Sequence, residues 1–358
     1  MLPDVENRLY NDEHVHRFPA EAINCFTGSL AKLMSLRGTP IQEANLLEYG
    51  DGYLFRCGLD ECGYPEYTFS VQEVGLLGCL RLGASVETAS ISDRDWIKHL
   101  SRLARTNHGA VVWVNTSHLT YDDFYLDKPA YLHALLVTYV SEDEKRIQIY
   151  DPLVVNRRRY GCQTWVAAEK FHEALSDKVT TETYNHMGLA HSIDKSIQMQ
   201  PSEGALTTLE ALARQSELYH SEAKHHEALG TYAAACIAML NGHNRRSCTA
   251  ARRLFDHISV LYVLPSLALL GQSLSQTDVN QDALKQLGWL VDHWRALALM
   301  SLKFEATGSE SVLLRISERF KVIIQTDRAM WSSIHRATHN VNFGIRHELT
   351  NRATGPIK

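Results

Sequence analysis

The sequence predicts an α+β domain followed by an all-α domain, and two contrasting patterns carry this prediction. In the first half, short runs rich in β-branched and aromatic residues alternate with short segments of helical periodicity. In the second half, long Ala- and Leu-rich segments follow one another, separated by turn signals such as Asn241-Gly242. We therefore assign residues 1–196 to the α+β domain and residues 197–358 to a helical C-terminal domain.

Composition and length favour a soluble globular protein of about two domains. The chain has 358 residues, of which 45% are hydrophobic and 22% charged, and its formal net charge is −5. A chain with this net charge lacks the excess of basic residues that is typical of nucleic-acid binding. We find no apolar run near the roughly 20 residues that are needed to span a bilayer. The N-terminus is polar and acidic, unlike a signal peptide, and the seven cysteines favour reduced thiols. We expect a cytoplasmic protein without nucleic-acid or membrane partners.

Three segments of the first half have the composition of strands. They lie at residues 109–117, 133–140 and 146–152. Ahead of them, apolar residues recur at helical spacing from Phe26 to Leu36, and the pattern stops at Gly38. We therefore expect a helix in this segment and strands in the other three.

Cys25 lies where this helix begins, directly after the polar residue Asn24. The N-terminus of a helix stabilises a negative charge, and a stabilised thiolate is a nucleophile. Cys25 is therefore a candidate catalytic nucleophile. A nucleophilic cysteine needs a base, and the base needs a group that orients it.

His133 and Asp151 are the candidate base and orienting group. His133 begins one apolar strand and Asp151 ends the next, with a polar turn between them. If residues 141–143 form that turn, His133 faces Asp151 directly, at roughly 5 Å on one sheet face. The spacing therefore predicts a His–Asp pair, and Cys25 completes a triad.

Each of these residues taken alone has a simpler explanation. Cys25 could be a small buried helix residue. His133 could be a hydrogen-bonded histidine at a strand edge, and Asp151 could belong to a turn before Pro152. Their order, a cysteine at a helix start followed by a histidine and an aspartate on one hairpin, favours the catalytic interpretation.

The order resembles that of papain-like cysteine proteases, and more closely the bacterial C39-like peptidases and the family of the butirosin-biosynthesis acyltransferase. Residues 25–30, "CFTGSL", match the helix start of that family, and Glu43 ahead of "LLEYGDGYLF" matches its next motif. A strand, a Tyr-rich loop, His133 and Asp151-Pro152 follow in the family's order. The resemblance covers about residues 20 to 155, and it implies a papain-like fold for the first domain.

The resemblance implies acyl transfer without proteolysis. An acyl group would move from the phosphopantetheine thioester of an acyl or peptidyl carrier protein to Cys25, and a small amine would then form an amide in specialised-metabolite biosynthesis. The enzyme would need no cofactor of its own, because the phosphopantetheine belongs to the donor. Two alternatives stay open: a cysteine peptidase or thioesterase, in which water attacks the acyl-enzyme, and an inactive scaffold of the same shape.

The sequence departs from these families just before Cys25. No Gln occupies the position of the papain-type oxyanion donor, and Asn24 stands where the butirosin type often has His. The backbone N–H of Cys25 is one oxyanion donor at the helix start. We name the Asn24 side chain as the candidate second donor, and its alternative is to cap the helix.

Candidate substrate-binding residues are Glu43, named on the resemblance, and three residues of the loop "TYDDFYLDKPAY". These are Asp122, Asp123 and Tyr131, in an acidic, aromatic setting that would attract a cationic amine. The alternative is a solvated loop.

Arg157 and Arg158 follow the hairpin in the run "NRRRY". They are candidates for binding the acidic surface of a carrier protein or the pantetheine phosphate, and a solvated basic turn is the alternative. The helical domain would shape the acceptor channel or a homodimer. The His- and Glu-rich stretch at 219–229 does not match the H-E-x-x-H pattern, so we expect no metal site.

Overall fold

The computed structural model describes residues 15–59, 63–68, 71–122, 125, 130–155, 159–177, 179, 187–194, 207–242, 245–277 and 281–353. These residues form two compact units. The first unit takes in Met1–Leu46 and Val71–Ala205, and the second takes in Leu47–Ser70 and Leu206–Lys358.

The first unit is built on an antiparallel sheet of seven described strands. They are β1 (His16–Pro19), β4 (Val86–Ser90), β5 (Ala110–Asn115), β6 (Leu132–Val140), β7 (Arg146–Val155), β8 (Arg159–Ala167) and β9 (Leu189–Ile193). Their order across the sheet is β1-β8-β7-β6-β5-β9-β4. All residues of β5, an interior strand of this sheet, are buried, in keeping with its apolar run from Ala110 to Val114.

The helices that precede residue 206 are α1 (Cys25–Leu36), α2 (Glu43–Tyr49), α3 (Val71–Arg81), α4 (Trp96–Asn107) and α5 (Ala168–Ser176). Helix α1 packs against β6 and β7, the hairpin that was predicted to carry the histidine and the aspartate. Gly38 follows α1 with a φ of 85°, the left-handed conformation in which helices commonly end. The helix start, the helix end and the three strands predicted from the sequence are therefore confirmed.

The second unit is mainly helical. Its helices are α6 (Thr208–Ser221), α7 (Ala223–His226), α8 (Ala228–Leu240), α9 (Arg245–Asp256), α10 (Val263–Ser275), α11 (Gln281–Thr307) and α12 (Glu310–Ala353), and a π-helical turn (His257–Leu261) joins α9 to α10. The prediction of an α+β first half and a helical C-terminal region is confirmed at this level.

Residues 47–70 depart from the predicted domain division, because they belong to the second unit. They include a two-stranded hairpin of β2 (Arg56–Leu59) and β3 (Pro65–Thr68). The hydroxyl of Tyr53 lies 2.6 Å from that of Ser273, and the backbone N–H of Tyr53 donates to Gln215 at 3.0 Å. These long-range hydrogen bonds hold the segment in the helical unit.

One helical run in the described part of the chain, Arg245–Ser275, is long and apolar enough by length and composition to cross a membrane. Its most apolar window has a mean hydropathy of 1.6, so it is an exception to our expectation that no such run exists. In the structure 59% of that window is buried within the protein, and the core helix of a globular unit meets the same test of length and composition.

Candidate active site

Cys25 is the first residue of α1, and its neighbours fix the start of that helix. The side chain of Asn24 accepts a hydrogen bond from the backbone N–H of Phe26 at 3.0 Å, so Asn24 is the helix cap. The ring of Phe26 stacks on that of Trp113 in β5, with centroids 5.3 Å apart. The thiol is therefore presented from an anchored helix N-terminus. The oxygen of the Asn24 side chain thus caps the helix, which is the alternative that the sequence analysis gave to a role as oxyanion donor.

Glu43 holds the segment that leads into Cys25. Its carboxylate accepts hydrogen bonds from the backbone N–H groups of Ile23 at 2.7 Å and Asn24 at 2.8 Å, and from the Thr27 hydroxyl at 2.5 Å. Burial raises the pKa of Glu43 to about 7, against the opposing effect of these three bonds. Glu43 was expected to bind substrate, but its observed contacts position the loop of the nucleophile.

The structure brings the three predicted triad residues together. Nε2 of His133 lies 2.9 Å from Oδ1 of Asp151, and both side chains are buried. The Cys25 side chain lies close enough to the same imidazole to raise its pKa. Thiol, imidazole and carboxylate thus lie together in one site, with the imidazole in contact with the carboxylate.

The register predicted for this hairpin is wrong, although the contact that it was meant to explain exists. A three-residue turn at 141–143 would place His133 directly opposite Asp151. Instead Val140 pairs with Ile147, so the connection between the strands is longer.

Two local features account for the difference. The carboxylate of Asp143 accepts hydrogen bonds from the Ser141 hydroxyl at 2.6 Å and the Lys145 N–H at 3.2 Å, which stabilises a wider turn. A β-bulge in β6 then recovers one residue of this offset, so the pairing beyond it differs from the predicted one by two residues. The histidine and the aspartate are therefore diagonal neighbours on one sheet face, which polar side chains of this length can bridge.

Two tyrosines that the sequence analysis did not single out complete the site. The hydroxyls of Tyr121 and Tyr125 donate to Oδ2 of Asp151 at 2.8 and 2.5 Å, and the Tyr125 hydroxyl also lies 3.2 Å from Nε2 of His133. The Leu153 N–H donates to Oδ1 at 3.1 Å. With His133, four groups thus donate to one buried carboxylate. The Tyr-rich character of the loop was the one sequence signal for this network.

The charges of the site reinforce one another. Burial alone would lower the pKa of His133, but the Asp151 carboxylate and the Cys25 side chain raise it to about 10. Burial likewise opposes ionisation of Asp151, yet its imidazole and tyrosine partners hold its pKa below the ordinary value. A protonated imidazole beside an ionised Asp151 carboxylate is therefore the favoured state near neutral pH.

The remaining predicted binding residues are placed differently. Tyr131 lies beside the triad, with its ring 6.2 Å from that of His133. Asp122 is buried and accepts a hydrogen bond from Tyr160, with Arg17 at 3.5 Å, so its carboxylate already has cationic and hydroxyl partners. Asp123, Arg157 and Arg158 lie outside the described residues.

The six described cysteines are free thiols, and their settings differ. Burial raises the pKa of Cys79 to about 12, and it also raises the pKa values of Cys162 and Cys236. Among these thiols, Cys25 is the one that acts on the pKa of a histidine with a carboxylate partner. The arrangement can generate a nucleophile and can move a proton between it and an incoming or departing group.

No family model matches the chain, and no curated protein is significantly similar to it. The chemistry of the site therefore has to be inferred from its geometry and from the resemblance in the motifs around Cys25 and the hairpin.

Proposed function

We propose that this protein is a cysteine-dependent acyltransferase that moves an acyl group from a carrier-protein thioester, through an acyl-enzyme on Cys25, to an amine. The observation that supports this proposal is the chain of contacts from Cys25 through His133 to Asp151 at the start of a capped helix. The choice of a carrier-bound donor and an amine acceptor rests on the resemblance of the motifs to the butirosin-biosynthesis acyltransferase family.

In the first half-reaction, the Cys25 thiolate attacks the carbonyl carbon of the donor thioester and forms a new C–S bond. The tetrahedral intermediate then breaks the donor's C–S bond, and the departing thiolate takes the proton held on His133. Cys25 becomes an acyl thioester and His133 a neutral imidazole. One thioester replaces another, so this step is close to isoenergetic.

In the second half-reaction, an amine attacks the acyl group on Cys25 and forms the C–N bond of the amide. The neutral imidazole of His133 accepts the amine proton, and Cys25 departs as a thiolate. This regenerates the thiolate–imidazolium pair, which Asp151 stabilises. The amide is more stable than the thioester, so the overall transfer runs forward.

The oxyanion of each tetrahedral intermediate needs hydrogen-bond donors that are already in place. The Cys25 N–H lies at the helix start, where the first backbone N–H groups have no partner within the helix. The Asn24 N–H donates to Glu43 and the Phe26 N–H to the Asn24 side chain, so neither serves this purpose. The Cys25 N–H is the donor that we assign to the oxyanion.

The test is the intact mass of the protein after incubation with butyryl-N-acetylcysteamine and with a butyrylated carrier protein. We expect one butyryl group on the wild type and on Cys248→Ala, a matched control that removes an exposed thiol, and none on Cys25→Ala. A primary amine added afterwards should discharge the acyl-enzyme faster than water does.

Two results would contradict the proposal. Release of butyrate at a rate that amines do not change would identify a thioesterase or peptidase. Absence of any acyl-enzyme with either donor, in protein that folds normally, would favour the inactive scaffold.

A further inference from the structure

Helices α6 and α12 of the second unit bring metal-ligating side chains together. Glu217 lies on α6, and His335 and His339 lie on α12. One ligand atom from each of the three residues lies within 4.8 Å of the other two. His335 and His339 are four residues apart, so they share one face of the helix. We call these residues the Glu217–His335–His339 cluster.

Neighbouring contacts fix the two helices against each other beside this cluster. The hydroxyl of Tyr219 on α6 donates to Asp327 on α12 at 2.7 Å. The ring of Tyr219 also stacks on Trp331, one helical turn before His335, with centroids 5.1 Å apart. The two helices that carry the cluster are therefore held together beside it by packing that involves none of the three ligands.

A hydrogen-bond relay sets the tautomer of His335. The Ser216 hydroxyl donates to the backbone oxygen of Ala213 at 2.9 Å, so its proton is committed. The same oxygen lies 3.2 Å from Nδ1 of His335, and it can therefore only accept from that nitrogen. Nε2 of His335 is left with a lone pair, and a partner on the second ring nitrogen is what metal-ligating histidines usually have.

The histidines of this region lie close together. The ring centroids of His335 and His339 are 4.0 Å apart, and that of His220 lies 4.8 Å from the ring of His335. The two imidazoles of the cluster are therefore near enough for one ion to bind both.

We propose that the Glu217–His335–His339 cluster is a binding site for a divalent transition-metal ion of the zinc class, which ties α6 to α12. Two imidazoles and one carboxylate suit zinc, with water in the remaining position. Ligand atoms around zinc lie about 3.4 Å apart at bond lengths of about 2.1 Å, so small side-chain rotations would close the site. Glu217 is distant in sequence from the two histidines, and a search for H-E-x-x-H on one helix cannot find the three ligands together.

The test is calorimetric titration of the metal-free, full-length chain with ZnCl₂, without a polyhistidine tag and in a Cys25→Ser background. We expect one equivalent to bind and to raise the melting temperature of the protein. His339→Ala and Glu217→Gln, which alter exposed residues, should each weaken binding at least tenfold, and Ser216→Ala about tenfold.

His293→Ala is the matched control. It removes a histidine of the same unit that contacts Arg319 on α12. Arg319 and His335 are about 24 Å apart along that helix, at a rise of about 1.5 Å per residue. This variant should bind zinc like the parent chain. Substitution of Co²⁺ for zinc should give visible absorption without a thiolate-to-cobalt charge-transfer band, because no cysteine belongs to the site.

Three results would overturn the proposal. These are no binding of zinc up to millimolar concentration, stoichiometric binding that survives His335→Ala combined with His339→Ala, or a thiolate band in the cobalt spectrum. Each of them leaves the acylation of Cys25 untouched, so failure of the metal site is distinguishable from failure of the proposed acyltransferase.

Discussion

At the scale of single residues, Asp151 governs the protonation of the site. Asp151→Asn keeps the size of the side chain but removes the charge that stabilises the His133 imidazolium. The thiolate–imidazolium pair should then give way to the neutral pair, so the pH at which Cys25 becomes reactive should move upward. Turnover at neutral pH should fall about 10- to 100-fold, less than the roughly 10⁴ seen for serine triads, because a thiol ionises more readily than a hydroxyl.

Stopped-flow measurement of acylation across pH checks this expectation. His133→Ala in the same experiment should lose more activity, because it removes the base itself. An Asp151→Asn protein with the wild-type pH profile and turnover would reduce Asp151 to a residue with a purely structural role in the turn before Pro152.

Tyr125 is expected to act through Asp151. Tyr125→Phe removes a donor from the carboxylate, so the pKa of Asp151 should rise toward its ordinary value. The acid limb of the pH–rate profile should therefore move to higher pH. Activity near neutral pH should fall about tenfold, because a hydrogen bond to a charged group contributes about 1.5 kcal/mol. Tyr139→Phe, which alters an exposed ring on β6, is the control and should behave like the wild type. Superimposable profiles for the two variants would show that the Tyr125 hydroxyl has no part in the site.

The residue types of the triad could be predicted from the sequence, but their supporting partners could not. Cys25, His133 and Asp151 stand out because a thiol at a helix start and a histidine and an aspartate on one hairpin are rare together. Tyr121 and Tyr125 lie in a loop whose aromatic character is visible, yet only tertiary folding shows which carboxylate their hydroxyls reach. Glu43 was named as a substrate-binding residue on the resemblance, and nothing in the sequence indicated that its three hydrogen-bond donors all come from the segment around Cys25.

At the scale of elements, Gly28 allows α1 to approach the residues before it. A Cβ atom built at Gly28 would lie 2.1 Å from that of Ala22 and 3.6 Å from that of Pro152, next to Asp151. Gly28→Ala should therefore destabilise the protein by about 1–3 kcal/mol and slow the labelling of Cys25, one helical turn away. Thermal melting followed by circular dichroism and the rate of thiol alkylation measure the two effects.

Gly288→Ala is the control for helix propensity. Gly288 lies within α11, and a Cβ atom there would meet nothing within 4 Å. This variant should gain up to about 1 kcal/mol, because alanine is the better helix former. A Gly28→Ala protein with the melting temperature and labelling rate of the wild type would contradict the close packing of α1.

Most elements near the site could be predicted from periodicity, whereas their register could not. Helix α1 and strands β5, β6 and β7 follow from apolar spacing and from punctuation such as Gly38. The position of His133 relative to Asp151 depends on a side-chain turn at Asp143 and a bulge in β6, and neither changes the hydrophobic pattern. The predicted and observed pairings at this end of the hairpin differ by two residues, a shift that keeps each side chain on its face and leaves the alternation of residue types unchanged.

At the scale of the whole molecule, the sequence locates the change from mixed to helical structure but not the membership of residues 47–70. That segment belongs to the helical unit through hydrogen bonds such as those of Tyr53 to Gln215 and Ser273. Their partners lie far along the chain, and no local composition distinguishes them. The same limit hides the Glu217–His335–His339 cluster, whose members come from two helices.

Recognition of a carrier protein would be a property of the protein surface. Arg157 and Arg158 lie outside the described residues, so their role stays a prediction from the sequence. The double variant Arg157→Glu with Arg158→Glu should raise KM for a carrier-bound thioester and leave turnover of a small thioester nearly unchanged, because the contact is remote from the reacting atoms. Steady-state kinetics with both donors, repeated at rising salt, measures this. Equal loss with both donors would contradict a carrier-docking role.

The central claim is that Cys25 is the activated nucleophile, and the order in which the thiols react with iodoacetamide tests it most directly. Cys248 is exposed, whereas Cys25 and Cys57 are partly buried, so labelling governed by access alone would begin at Cys248. Cys25 instead has an imidazole partner and a helix N-terminus, both of which favour the thiolate.

Brief treatment near neutral pH, followed by digestion and mass spectrometry, reads out that order. We predict that Cys25 is modified first in the wild type and that His133→Ala abolishes its advantage over Cys248. Modification of Cys248 or Cys57 in the wild type while Cys25 stays unmodified would contradict the account.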